Sequence, residues 1–372
     1  MSRGTGSPWM MMTECLRNAG VTIVILAAIA CLPVLAEPVL ADEAENWEAL
    51  LNTAIAAREQ AQYREAERLL LLAGRELERA GPNDARTAAT LNQLGLVLQE
   101  EGRYDRAKPY YEQALEIWER THGLDHPEAA STLHNLAEIY QEEGDFERAE
   151  RAYLRSLEIG ERNLGRGHPD MAIGYNNLAG LYRKQGRFIE AEALFHLGIS
   201  ILQGAEQDAA MNQAPLLNNL AALYKEKGLY AYAEPLYEEA VALRRARFGD
   251  RHPAVAISLN NAANLHHAQG LPELADRYYR EALAVSEATS GSDAPLTGRI
   301  LANWAWLLHE RGFVDEAKLR YERALVIQQK TMGREHPMLA VTLDRYASLL
   351  RDIGQPLQAR LIAGRAAAIR AH

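Results

Sequence analysis

Cysteine is nearly missing from this chain: among 372 residues there are two, Cys15 and Cys31, both ahead of residue 42. A chain processed beyond them has no disulfide and no thiol nucleophile. A basic excess is also missing, since Lys and Arg number 40 against 50 Asp and Glu, for a formal net charge of −10. Nucleic-acid binding calls for a basic footprint, so it is not expected. No phosphate-cradling glycine loop and no Gly-x-Ser-x-Gly elbow occurs. Acid pairs such as Glu142-Glu143 and Glu238-Glu239 fall on predicted solvent faces. After Asp42 no Gly/Ser linker or low-complexity run interrupts the chain. With the eighth hairpin (below) running to His372, no appended catalytic domain, no cofactor and no metal site are expected.

What the chain has is a period. Gly102, Gly144, Gly186, Gly228, Gly270, Gly312 and Gly354 recur every 42 residues, and an alanine follows each five residues later, from Ala107 to Ala359. Between them lie two helical stripes. Leu133, Leu136, Ala137 and Tyr140 stand at i, i+3, i+4 and i+7, as do Ala149, Tyr153, Ser156 and Leu157 in outline. Gly144 is expected to stop the first helix, and the proline of each His-Pro pair to open the next one. The alternation Ala149, Tyr153, Ser156 (small, large, small) predicts two helices interlocking closely. Such hairpins have no core of their own and must stack on neighbours.

The pattern Leu133, Leu136, Ala137, Tyr140, Gly144, Ala149, Tyr153 and Ser156, with His126-Pro127, His168-Pro169, His252-Pro253 and His336-Pro337, resembles the tetratricopeptide repeat in its 42-residue form, as in kinesin light chains. The resemblance covers about residues 84–372 and implies an all-α, right-handed solenoid. Eight hairpins are expected, at about 43–80, 84–125, 126–167, 168–209, 210–251, 252–293, 294–335 and 336–372, the first of them degenerate. Ala294-Pro295 and Met211 to Pro215 replace the His-Pro turn, and Pro272 and Pro356 replace the aromatic that follows the glycine. The family implies a non-catalytic scaffold that binds a protein or an extended peptide, with first helices lining a concave groove.

Residues 1–41 read differently. Ala19 to Ala36 is uncharged and follows Arg17, with small-residue cleavage sites at Val34-Leu35-Ala36 and Val39-Leu40-Ala41. That is the layout of a secretory signal peptide, which predicts an exported protein, periplasmic or secreted. An uncleaved anchor is the alternative, disfavoured by Pro33 and Pro38. Ala28-Ile29-Ala30-Cys31 loosely resembles a lipoprotein box, which would tether the chain through Cys31 as an envelope assembly factor. The membrane is expected to matter only through this leader.

Two polar patterns remain. The turn histidines are spaced by whole repeats, ~10 Å apart if one helix diameter separates neighbours, well beyond the ~2 Å reach of a shared metal. His266, His267 and His309 are the only set that could support a metal-dependent enzyme. The second pattern is an asparagine column at Asn135, Asn177, Asn219, Asn261 and Asn303, doubled by Asn176, Asn218 and Asn260. Asparagine is a mediocre helix former, so the column needs a reason. Either the amides contact a bound peptide, for which a group that both donates and accepts is suited, or they bond the neighbouring hairpin. The same face carries Trp306 and Arg345 as candidate anchors, and Arg183, Lys184 and Lys225 as a basic lip that would favour an acidic ligand. The two-lysine carboxylate clamp used by some family members is not evident, because Ser131, Ile173, Pro215 and Ile257 stand where its lysines would fall.

Overall fold

The computed structural model describes residues 38–60, 62–77, 84–205, 211–334 and 336–371. The expected leader, including Cys15, Cys31 and the first cleavage site, lies outside them. The described residues form sixteen α-helices and no strand. In chain order these are α1 (Pro38–Glu59), α2 (Tyr63–Glu76), α3 (Ala85–Glu100), α4 (Tyr104–His122), α5 (Pro127–Glu142), α6 (Phe146–Leu164), α7 (Met171–Lys184) and α8 (Phe188–Gln203). After a 3₁₀ turn at Met211–Gln213 come α9 (Ala214–Glu226), α10 (Tyr230–Phe248), α11 (Pro253–Ala268), α12 (Pro272–Thr289), α13 (Pro295–Glu310), α14 (Val314–Met332), α15 (Pro337–Asp352) and α16 (Pro356–Arg370). Odd-numbered helices are the first of each hairpin and even-numbered helices the second. The second candidate cleavage site, Val39-Leu40-Ala41, falls within α1.

The turns follow from backbone chemistry. At Gly228 φ is 72°, a left-handed value that a side chain disfavours. This lets the next N–H, of Leu229, reach back to the Tyr224 carbonyl at 2.8 Å, satisfying one of the carbonyls stranded at the helix end. The same bond recurs from Asp145 to Tyr140 at 2.8 Å and from Phe313 to Leu308 at 2.9 Å. A second glycine column ends the second helices. Gly249, at φ 78° and ψ 172°, occupies a region essentially closed to other residues. Three residues on, His252 caps α11: its Nδ1 accepts the Ala254 N–H at 3.2 Å. His126, His168 and His336 accept the N–H two residues ahead in the same way, at 3.3, 3.2 and 3.1 Å. His126, His252 and His336 are therefore helix caps, whereas His168 makes its bond within the turn ahead of α7, whose N-cap residue is Asp170. Where His-Pro is replaced, proline still opens the helix, as at Pro295.

Two compact units make up the chain, one ending at Ile139 and also holding Glu158–Asn163, the other comprising Tyr140–Leu157 and Leu164 onward. In the first, α1 to α5 bury Ala66, Leu70, Leu94, Leu98, Ala107, Tyr111 and Ala114. Trp47 donates from Nε1 to Thr90 Oγ1 at 2.9 Å and ties the degenerate first hairpin to α3. Glu67 on α2 receives both Arg103 at 2.8 Å and Arg106 at 2.9 Å.

In the second unit the small-large-small alternation recurs at each step. Ala233, Tyr237 and Ala240 are buried, as are Ala275, Tyr279 and Ala282, and Ala317, Tyr321 and Ala324. A ring seated between alanines brings two helix axes close while leaving no void. The first-helix column Tyr175, Leu217, Leu259 and Leu301 is at most 3% exposed, as its periodicity predicts. Because the stripe is filled at each repeat, the residues two positions further on are displaced from the core by about 200° of helix rotation. Those positions hold the asparagines. No described helix is long and apolar enough to cross a membrane.

Candidate functional site

The asparagine column forms a ladder of rungs between successive first helices in each unit. In the first unit Asn135 donates from Nδ2 to Asn92 Oδ1 at 3.4 Å. In the second, Asn219 donates to Asn176 at 2.9 Å, Asn261 to Asn218 at 3.2 Å and Asn303 to Asn260 at 3.2 Å. Arg345 closes the series, donating from Nη1 to Asn303 Oδ1 at 3.3 Å. Each rung spans 42 or 43 residues, and the asparagine rungs join one position of a repeat to the preceding position of the repeat before. This accounts for the doubled asparagines: the first of each pair is the acceptor for the next hairpin.

Two of the expected groove residues must be relocated. Asn218 and Asn260 are 5% and 1% exposed and so do not line an open face. One residue is 100° of helix rotation, enough to turn this column into the seam between hairpins. Asn218 additionally donates to Ala214 O at 2.8 Å and Ser258 Oγ at 3.0 Å. Asn176 is half-buried and donates to Asn177 Oδ1 at 3.0 Å. Asn135, Asn219 and Asn261 are half-buried, and their carbonyl oxygens accept no hydrogen bond among the described residues. In the ladder, then, a donor is committed to the fold while an acceptor stays available.

The basic lip is also rearranged. Arg183 is paired with Glu226, and Lys184 Nζ lies 2.9 Å from Glu142. Both charges are matched by carboxylates on adjacent first helices, so the expected row of three free cations does not form. Lys225 alone makes no hydrogen bond or ion pair among the described residues.

Lys225 lines a pocket of about 450 Å³ together with Asn264, His267, Ala268, Asn303, Trp306, Glu310 and Arg345. The wall comes from first helices of four consecutive hairpins, α9, α11, α13 and α15. Arg345 sits over the aromatic floor, its Cζ 3.9 Å from the Trp306 ring centre. The His267 ring is 4.7 Å from Trp306, and its Nε2 is 2.8 Å from Glu310 Oε2. Trp306 is 37% exposed, which leaves part of its ring available to a ligand. Burial holds the Lys225 ammonium below its ordinary pKa; Glu226 opposes this, while Arg183 and Arg345 add to it. Burial likewise lowers Arg345, against the pull of Tyr321, Tyr279 and Glu310. Thus Lys225, Asn303, Trp306 and Arg345 are brought together, whereas Asn135, Asn177, Arg183 and Lys184 lie outside the pocket. Ala268 and Glu310 were not singled out by sequence reasoning, although lining up the repeats would have marked both.

The three histidines considered for a metal are occupied separately. His266 is 2% exposed and bonded through Nδ1 to Gln269 Oε1 at 2.9 Å. His267 pairs with Glu310, and His309 Nε2 lies 2.8 Å from Asp352 Oδ2. Among the described residues no group of three or more His, Cys, Asp or Glu side chains is placed to hold a metal ion.

The sequence pattern of the tetratricopeptide repeat matches residues 86–162, 129–203, 212–288 and 263–325. Among solved structures, the chain is similar to BtubC (BKLC) from P. vanneervenii, with 27% identity, 61% of this chain and 91% of that chain covered, and a TM-score of 0.51. A tetratricopeptide repeat protein from Parabacteroides merdae is 19% identical, with 81% of this chain and 99% of that one covered and a TM-score of 0.55. A putative kinesin light chain from Podosopora anserina with nearly identical TPR-like repeats is 23% identical, with 56% and 97% covered and a TM-score of 0.46. Among curated proteins none matches the chain.

Proposed function

As the chain belongs to the tetratricopeptide repeat family, we propose that it is a non-catalytic scaffold that binds an extended, acidic segment of a partner protein on the first-helix face of its second unit. The observation that carries this reading is the pocket around Trp306. It joins an exposed aromatic ring, two half-buried cations and an asparagine carboxamide, all drawn from four successive first helices. Interfaces draw most of their affinity from such aromatic and arginine anchors. Beside it, the free carbonyls of Asn219 and Asn261 are acceptors for the N–H groups of an extended backbone.

The chain is also read as exported, on the strength of Arg17, the uncharged stretch Ala19 to Ala36 and the small residues at Val34-Leu35-Ala36. Intact mass of the protein isolated from its native cell tests this. Loss of the first 36 or 41 residues is expected, and a full-length or lipid-modified mass would overturn the cleaved leader in favour of a membrane-tethered chain.

The binding face is tested by placing a photo-crosslinking amino acid at Trp306, on a first helix, or at Tyr232, which is 64% exposed on the second helix α10. Crosslinks to a partner are expected from position 306 and not from 232. The reverse result would move the working surface to the second helices.

A further inference from the structure

In the column of cations that contains Lys225, the side chains of Arg183, His267 and His309 each meet an acid, whereas half-buried Lys225 and exposed Arg351 have none in contact among the described residues. Arg183, Lys225, His267 and His309 stand 42 residues apart, each the last residue but one of its first helix. In three of these four repeats the residue 43 positions further on is an acid in contact: Glu226 with Arg183, Glu310 with His267 and Asp352 with His309. The corresponding residue for Lys225 is Ala268, which has neither the charge nor the volume to complete the rung. Lys225 and Ala268 both line the pocket described above.

Lys225 and Arg345 bring two positive charges to the pocket and Glu310 one carboxylate, so positive charge is in excess. Lys225's nearest acid in sequence, Glu226, is held by Arg183. Among the described residues Arg345 has only the neutral Asn303 carbonyl as a hydrogen-bond partner; Glu310 attracts it without touching it and is hydrogen-bonded to His267. Two cations share one partly desolvated space, each made less comfortable by burial, and they repel. A structural role would be poorly served by this, because a half-buried charge without a counter-ion opposes folding. A carboxylate entering beside Ala268 would relieve both, with charge-assisted hydrogen bonds to an ammonium and a guanidinium.

We propose that the gap at Ala268 seats an aspartate or glutamate side chain of the bound polypeptide, which stands in for the missing rung and is held by Lys225 and Arg345. The inference rests on the scaffold reading and sharpens it to one acidic residue at a fixed place. The rest of the ligand then runs on helices that also carry Asn219 and Asn261, whose carbonyls take its backbone N–H groups. The apolar stem of the acidic side chain lies against Trp306.

The test uses the full processed chain and a phage-displayed library of random twelve-residue peptides. Selected peptides are expected to share one acidic position, and replacing that residue with its amide should weaken binding about tenfold or more. The decisive variant is Ala268→Glu, which supplies the missing carboxylate from within. Ala268 is exposed, so the longer side chain has room. This variant is expected to keep its helicity, to match or exceed the wild-type unfolding midpoint, and to lose the selected peptides. Ala268→Gln, which adds the volume without the charge, should bind within about threefold of wild type. Peptides that bind without a shared acid, or that bind Ala268→Glu as well as wild type, would overturn the carboxylate site and leave the scaffold reading standing. Failure to enrich any peptide would overturn both.

Discussion

Asn260 is 1% exposed, and its side-chain oxygen accepts a hydrogen bond at 3.2 Å from Asn303, on the first helix of the next hairpin. A buried amide so placed is a structural joint between repeats. Removing it takes away the protein partner of the half-buried Asn303 N–H. Asn260→Ala is therefore expected to cost about 1–3 kcal/mol, the usual penalty for a donor left without a partner. Urea unfolding measures it. A loss under about 0.5 kcal/mol would mean that water replaces the bond and the ladder holds nothing together.

Close helix crossing gives a second expectation. Ala149 is fully buried one turn before Tyr153, which is 2% exposed. Ala149→Leu adds three carbons where two helices meet and is expected to destabilise by roughly 1–3 kcal/mol. An unchanged unfolding midpoint would contradict the small-large-small packing inferred at each repeat.

His126 predicts a pH dependence. Its Nδ1 caps α5 by accepting the Glu128 N–H at 3.3 Å, and its ring stacks on Trp118 with centroids 5.5 Å apart. Burial first, and the neighbouring His122 second, hold its pKa below the ordinary 6.5. The unfolded chain thus takes up the proton before the folded one does. The contribution is complete above pH 6.5 and is lost as pH falls from there through the lower folded value. His126→Asn keeps a capping oxygen but does not titrate. Its stability should lack the part of the decline between about pH 6.5 and pH 5 that wild type shows. Identical profiles for the two proteins would remove His126 from the account.

Much of this was legible in the residues themselves. Tyr153, Phe195, Tyr237, Tyr279 and Tyr321 announced their burial by spacing alone, and Gly228 its left-handed turn, because both rest on local geometry repeated in step. The asparagine ladder was legible as a column but not as a direction. Asn260 and Asn261 differ by one residue in sequence; in the fold the first is sealed in a seam and the second keeps a free carbonyl. That distinction depends on how one hairpin leans on the next, which no single repeat encodes. The basic lip failed for a related reason. Arg183 and Lys184 look like free charges until Glu226 and Glu142, each about one repeat away, are brought against them. Ala268 was the opposite case, an unremarkable residue whose meaning lies in what the same position holds in neighbouring repeats.

The cations of the pocket should behave unlike the ladder when removed. Lys225 and Arg345 are partly desolvated, have no carboxylate in contact among the described residues, and repel one another. Lys225→Met and Arg345→Met keep most of the apolar stem and its packing while discarding the charge. If these cations served the fold, their loss would destabilise it, as loss of Asn260 is expected to. If they are kept for a ligand, the fold tolerates them at a cost: Lys225→Met should leave the unfolding free energy unchanged or raise it by up to about 1 kcal/mol, and in Arg345→Met the lost Asn303 bond offsets that gain so that any fall stays under about 1 kcal/mol. Stability and ligand binding would then be uncoupled at the same two residues. A fall of more than about 1 kcal/mol in either variant would assign that side chain to the fold and remove it from the binding site.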